Sequence, residues 1–127
     1  MIPRFSKHYT REEATALLPQ IRVWLKQING LREELAKCDV RLGALRSEFQ
    51  DLGGETTNRQ VKLFAEVREL LGEFQRRDIQ IKDFERGLLD FPALRSGREV
   101  FLCWEMGEDS VEHWHGIDSG FAGRELL

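Results

Sequence analysis

From Ala14 onward, apolar residues return at alternating steps of four and three: Ala14, Leu17, Ile21, Trp24, Ile28, Leu31, Leu35, Cys38, Leu42, Leu45, Phe49 and Leu52. That period holds one stripe on one helical face and favours a left-handed supercoil with a partner helix. The residues between are mostly charged or polar, among them Arg22, Lys26, Arg32, Glu33, Lys37 and Arg41. The pattern predicts a helix over residues 11–50. Its start is marked by Thr10 and Glu13, whose side chains can each reach the other's amide, and by Tyr9, which can pack on Ala14. This is a capping box with a hydrophobic staple. Pro19 removes one backbone hydrogen bond, so a kink is expected near Leu17–Pro19. Gly30 and Gly43 each cost about 1 kcal/mol relative to alanine, which the stripe must outweigh.

The run Asp51-Leu52-Gly53-Gly54-Glu55-Thr56-Thr57-Asn58 breaks the pattern. The glycine pair is expected to end the first helix, and Thr56, Thr57 or Asn58 to cap a second over residues 57–86. The second stripe reads Leu63, Val67, Leu70, Phe74, Arg77, Ile81, Phe84 and Leu88. Arg77 interrupts it and reads as a stem whose charged end reaches water. Two such helices joined by a short turn make an antiparallel hairpin. Leu18, Leu25, Val40, Phe64, Leu71 and Ile79 widen the stripes beyond what one hairpin covers. Pairing with a second copy would bury that width, which predicts a homodimer.

Residues 87–127 change period. Gly87-Leu88-Leu89-Asp90-Phe91 reads as a short extended run closed by Pro92, and Glu99–Met106 as a strand rich in β-branched and aromatic types. Gly107–Ser110 reads as a turn, and Val111–His115 as a second strand. The expected fold class is α+β, mainly α with a small β part. It is a long antiparallel helical hairpin capped by a two- or three-stranded antiparallel sheet, one domain over 1–127.

Charge narrows the function classes. Nineteen basic against 22 acidic residues give a formal net charge of −3. A general nucleic-acid binder carries a basic excess, because phosphate neutralisation supplies most non-specific affinity, so nucleic acid is a disfavoured partner. The pair Arg76-Arg77 sits among Glu73, Asp78 and Asp83 and reads as a solvated face. No apolar run approaches the roughly 18 residues that span a bilayer. Two cysteines and an amino-terminal segment without an apolar core point to a reducing, cytoplasmic setting.

The chemistry-bearing residues crowd into the last forty positions. His113 and His115 are two apart, so on a strand both imidazoles share a face and can reach one metal ion. Strand register decides what joins them. A four-residue loop at Gly107–Ser110 pairs Trp104 with His113 and Leu102 with His115, leaving Cys103 opposite Trp114. This register is favoured because its loop holds the turn-forming residues. A slip of one residue would set Cys103 against His113 and build a Cys–His pair, and with it a catalytic or zinc site, which is the lesser reading. For His113 itself, a half-buried imidazole beside an indole is the plainer reading. Asp118 can orient His115 or complete a metal site, or it can be ordinary turn chemistry with Ser119 and Gly120. Asp90 lies in an apolar run and needs a partner if buried. Arg95, Arg98 and Arg124 are the available cations, which favours an Asp–Arg clamp over a catalytic acid. Ser96-Gly97-Arg98 can hold an anion but is too short to be specific. No P-loop, GxGxxG, HExxH, paired CxxC or GxSxG occurs.

The leading functional reading is an interaction or assembly module. Its rival is an enzyme or a ligand- or metal-binding protein with a pocket where the β cap meets the helices. There His115, Asp118 and Asp90 are the acid–base candidates and Arg98 and Arg124 anion clamps, with Trp104 and Trp114 as further ligand contacts. Neither reading names a cofactor or a substrate.

The string Gly87-Leu88-Leu89-Asp90-Phe91-Pro92-Ala93-Leu94-Arg95-Ser96-Gly97-Arg98 through Leu102-Cys103-Trp104 resembles a known family. Trp114-His115, Gly120-Phe121-Ala122-Gly123-Arg124 and the front segment Tyr9-Thr10 through Leu17-Leu18-Pro19 extend the resemblance over nearly the whole chain. The family is that of small bacterial proteins called domain of unknown function 2203. The resemblance implies a shared fold and draws attention to these residues, and implies no activity. The chain departs from it at His113, where an aromatic stands in the family, and at Gly116, where an acidic residue stands. The first weakens an HxH metal site as a family trait. The second leaves Asp118 as the carboxylate nearest His115 in sequence.

Overall fold

The structure, a computed structural model, describes residues 2–47 and 53–127. The last residues of the expected first helix, with Phe49, and the first residues of the expected break, with Leu52, lie outside the described residues.

The first helix, α1, spans Arg11–Ser47 and runs on through Pro19. Its capping box forms as the sequence predicts. The Thr10 amide donates to Glu13 Oε1 at 3.0 Å, and the Glu13 amide donates to Thr10 Oγ1 at 3.1 Å. Tyr9 and Ala14 are both buried. The buried stripe of the first turns is Ala14, Leu18, Ile21 and Leu25. Leu17 and Trp24, expected on the seam, are only half-buried.

The second helix, α2, spans Gly53–Gln75, so the expected limits of 57–86 are corrected at both ends. The glycine pair lies inside its first turn rather than ending the helix before it. The helix stops at Gln75 because Asp78 takes a left-handed conformation, φ 59°. The Ile79 amide donates to Phe74 O and the Asp78 amide to Gln75 O, while buried Phe74 and Ile79 flank the turn. This is a Schellman stop with aspartate where glycine is usual. Arg77 therefore sits past the stripe, stacked on Trp24 at 4.9 Å and donating to the Glu73 carbonyl and carboxylate. Ile81, Phe84 and Leu88, read as helical, lie beyond the helix.

Beyond α2 the chain forms a sheet of five strands, not two or three. All are antiparallel, in the order β1 (Gln80–Asp83), β2 (Leu88–Arg95), β3 (Arg98–Trp104), β4 (His113–Gly116) and β5 (Glu125–Leu126). Gly87, φ 63°, links β1 to β2, and a Cβ there would meet Met106 Cβ at 2.7 Å. β2 does not close at Pro92 but runs on to Arg95. Pro92 lies past the stretch that β1 pairs, where a missing N–H costs the ladder nothing. Its carbonyl accepts from the Tyr9 amide at 2.7 Å. Ser96 and Gly97, φ 52° and 76°, form the two-residue turn of the β2–β3 hairpin, with the positive angles a type I′ turn needs.

The expected register of β3 against β4 is overturned. Cys103 faces His113, Leu102 faces Trp114 and Phe101 faces His115. The connection is longer than Gly107–Ser110, running from Glu105 to Glu112. Within it Trp104 Nε1 donates to Glu108 O at 2.9 Å, and the Glu105 amide to Glu108 Oε1 at 2.7 Å. Val111, expected in the strand, is fully buried, and its amide donates to Thr15 Oγ1 on α1 at 3.2 Å. Burying Val111 against α1 removes it from the ladder. A one-residue shift then moves every β4 side chain to the other face.

The chain divides into two compact units, Met1–Leu25 with Glu73–Leu127, and Lys26–Gly72. In the first, the amino-terminal turns of α1 lie on the sheet face that carries Trp104, with Arg22 stacked on its indole at 5.7 Å. In the second, Gln60 Nε2 donates to Asp39 Oδ1 at 2.7 Å and Arg59 pairs with Glu34 at 3.6 Å, tying α2 to α1. Cys38, Thr56 and Leu63 are buried there. Among the described residues, no helix is long and apolar enough to cross a membrane.

Candidate functional site

The sheet face opposite Trp104 carries Asp90, Cys103 and His113 in one cross-strand row, and Pro92, Phe101 and His115 in the next. Asp90, Cys103 and His115 come from three adjacent strands and are 1–3% exposed. One ligand atom of each, a carboxylate oxygen, the sulfur and a ring nitrogen, lies within 4.8 Å of the other two. They floor a cavity of about 250 Å³ whose walls include Leu88, Phe101, Ile117 and Phe121, with Lys82 also lining it. Lys82 is exposed, its ammonium 5.8 Å from the Phe101 ring.

His115 spans two acceptors. Its Nε2 lies 2.9 Å from Asp90 Oδ1, and its Nδ1 lies 2.8 Å from Gly116 O. A carbonyl only accepts, so Nδ1 carries a proton. A second proton is shared between Nε2 and Asp90. Both ring nitrogens are thus engaged, and neither is left to take a proton from Cys103. A nucleophilic triad needs one ring nitrogen for the nucleophile and the other for the carboxylate, and this geometry lacks that arrangement. The Cys103 thiol points the same way. Burial and the neighbouring Asp90 carboxylate push it up to about 11, against the pull of Arg124. At neutral pH it is a thiol, and the thiolate is the nucleophilic form.

The family model described as "Uncharacterized conserved protein (DUF2203)" matches residues 7–127. The chain belongs to the DUF2203 family. No curated protein and no solved structure matches it.

Around the trio, this DUF2203 chain builds a second polar cluster. Arg124 Nη1 and Nη2 reach the two Glu108 oxygens at 3.0 Å each. Burial alone would raise the Glu108 carboxyl, but Arg124 and the Glu105 amide hold it below the usual range. The guanidiniums of Arg124 and Arg86 both lie over the Phe121 ring, at 4.2 and 4.5 Å. Arg86 pairs in turn with Glu105. His113 Nδ1 is buried without a hydrogen-bond partner, 3.5 Å from Glu108 Oε2.

The sequence-derived candidates separate cleanly. His115 and Asp90 meet, and the partner of Asp90 is a histidine rather than an arginine, so the expected Asp–Arg clamp does not form. His113 shares their face, as its spacing predicts, but turns toward Glu108. Asp118 is exposed, in a turn closed by the Ser119 amide donating to Gly116 O, and does not line the cavity. Arg98 is exposed beside the hairpin turn, opposite Arg95. Trp104 and Trp114 lie on the other face, Trp104 in the core and Trp114 under Arg95 at 4.6 Å. Sequence reading missed the joining of Cys103 to Asp90 and His115, and the part played by Lys82, Phe121 and Glu108. The alternation Leu88, Asp90, Pro92 carried a signal for the first, since it places Asp90 on one face. Lys82 was hidden by its assignment to a helix.

Proposed function

We propose that this chain is a ligand-binding protein whose functional centre is the pocket over Asp90, Cys103 and His115. One observation carries the reading: three buried side chains with acid–base and metal-binding chemistry meet on the floor of a cavity of about 250 Å³ whose walls are mostly apolar. A purely structural Asp–His pair needs no cavity beside it. Apolar walls and the Lys82 ammonium suit a small anion with an apolar body. Benzoate is the probe. Titrated into metal-free, isotope-labelled protein, it is expected to shift the amides of Phe101, Ser119 and Phe121 with a Kd on the order of 1 mM. Lys82→Met should weaken it about fivefold. Shifts scattered away from these residues, or none, defeat the reading.

A second reading has its own observation. Val40, Val61 and Phe64 are 75%, 63% and 55% exposed on α1 and α2. On this reading the two helices form an antiparallel hairpin, and its apolar side pairs with a second copy in coiled-coil fashion. Light scattering at micromolar concentration tests it, since a single-protomer mass rules it out. Two free, buried cysteines suit a reducing cytoplasmic setting for either reading.

A further inference from the structure

We infer that Asp90, Cys103 and His115 form a binding site for one divalent metal ion of the zinc class. The inference deepens the pocket reading and rests on it for the open path by which an ion and its fourth ligand enter.

The donor set comes first. A thiol, an imidazole and a carboxylate are the three side-chain types that zinc accepts, and a thiolate disfavours calcium and magnesium. Bond lengths of about 2.0–2.3 Å place tetrahedral ligand atoms about 3.3–3.8 Å apart. The present donors lie within 4.8 Å of one another, and the Nε2···Oδ1 pair at 2.9 Å need only open slightly. The trio sits on adjacent strands, so the sheet fixes its spacing.

The orientation of His115 is the second observation. A histidine that ligates through Nε2 commonly donates its Nδ1–H to a backbone carbonyl, which fixes the ring. The Gly116 carbonyl at 2.8 Å already does this. The geometry that leaves His115 unable to activate Cys103 is therefore the geometry that prepares it as a ligand.

Charge balance is the third. Binding a dication releases two protons, one from the Cys103 thiol and one from the Asp90–His115 bridge. A thiolate and a carboxylate then offset the two positive charges. The buried site has the same net charge before and after, so loading leaves no uncompensated charge in the interior. Three protein ligands would leave one position open, for water or a ligand from the cavity that the trio lines. That is the arrangement of zinc sites that keep a place for water or substrate.

Cobalt(II) titration of the purified full chain tests the inference. The expected result is one ion per chain, visible bands of tetrahedral intensity and a near-ultraviolet sulfur-to-cobalt band that zinc abolishes. Cys103→Ser should remove the sulfur band, whereas Cys38→Ser should keep it. Asp90→Asn should weaken binding about tenfold or more, and it serves if Cys103→Ser fails to fold by circular dichroism. No sulfur band in the wild type, a band that survives Cys103→Ser, or a cobalt affinity that Asp90→Asn leaves unchanged overturns the site. Benzoate binding without cobalt binding removes the metal and keeps the pocket. Cobalt binding without benzoate binding does the reverse.

Discussion

The two faces of the sheet are made from the same strands and are about equally buried, yet they are built from different chemistry. One face carries Leu89, Phe91, Leu102 and Trp104, each 0–4% exposed. It meets Tyr9 edge-on and the Arg22 guanidinium on α1. The indole N–H of Trp104 donates to the Glu108 carbonyl and so is satisfied where it is buried. The other face carries Asp90, Cys103 and His115 under the segment 117–121 and beside the amino-terminal arm, where Phe5 packs on Phe101 at 5.4 Å. Close packing against a helix makes the first face a source of stability. The second buries polar groups at a cost that only mutual bonding offsets, and it retains a cavity. A fold held by one face can spare the other for binding.

That contrast breaks first at Trp104. Trp104→Ala should cost about 3–5 kcal/mol in urea unfolding, because it empties a fully buried indole site. A loss under 1 kcal/mol would mean that the helix-side face does not hold the fold. Next is the polar face. Asp90→Leu leaves the His115 ring without its acceptor and should cost about 3 kcal/mol, whereas Asp90→Leu with His115→Phe should recover most of it. If the double variant stays as unstable as the single one, the pair is holding the sheet and the two faces play the same part.

Alkaline unfolding sharpens the difference through Cys103. Its folded value of about 11 lies above the ordinary 9.0. The folded state keeps the thiol proton longer, so this contribution is intact below pH 9.0 and is lost as pH rises toward 11. The loss should reach about 2 kcal/mol, read as a falling urea midpoint that Cys103→Ala abolishes. A midpoint that falls equally in both proteins would place the thiol in a water-like setting. In acid the sign reverses for Glu108, whose lowered value makes its contribution present above about pH 4.5 and lost below it. Arg124→Met should cost about 0.5–1 kcal/mol at neutral pH, discounted because the pair is partly exposed, and nothing once Glu108 is protonated. The smallest effect belongs to a position on neither face. Ser96→Asn should stabilise by about 0.5 kcal/mol in thermal melts, since asparagine tolerates the positive φ of the hairpin turn better than serine.

The sequence alone determined what local rules write. The Thr10–Glu13 box started α1 where it was expected, because both partners lie within one turn. The heptad spacing marked a long first helix, and Asp90, His113 and His115 were singled out for their chemistry. It could not place the end of α2, since Asp78 stops the helix in a conformation that glycine usually supplies and the apolar stripe runs on into β1 without changing its period. Nor could it choose the partner of Cys103. Register in a period-two ladder turns on a single residue, and the residue that decided it was Val111, drawn out of the strand by a hydrogen bond to Thr15 on α1. Residues 96 positions apart set that bond, so only tertiary packing could bring Asp90, Cys103 and His115 to one point.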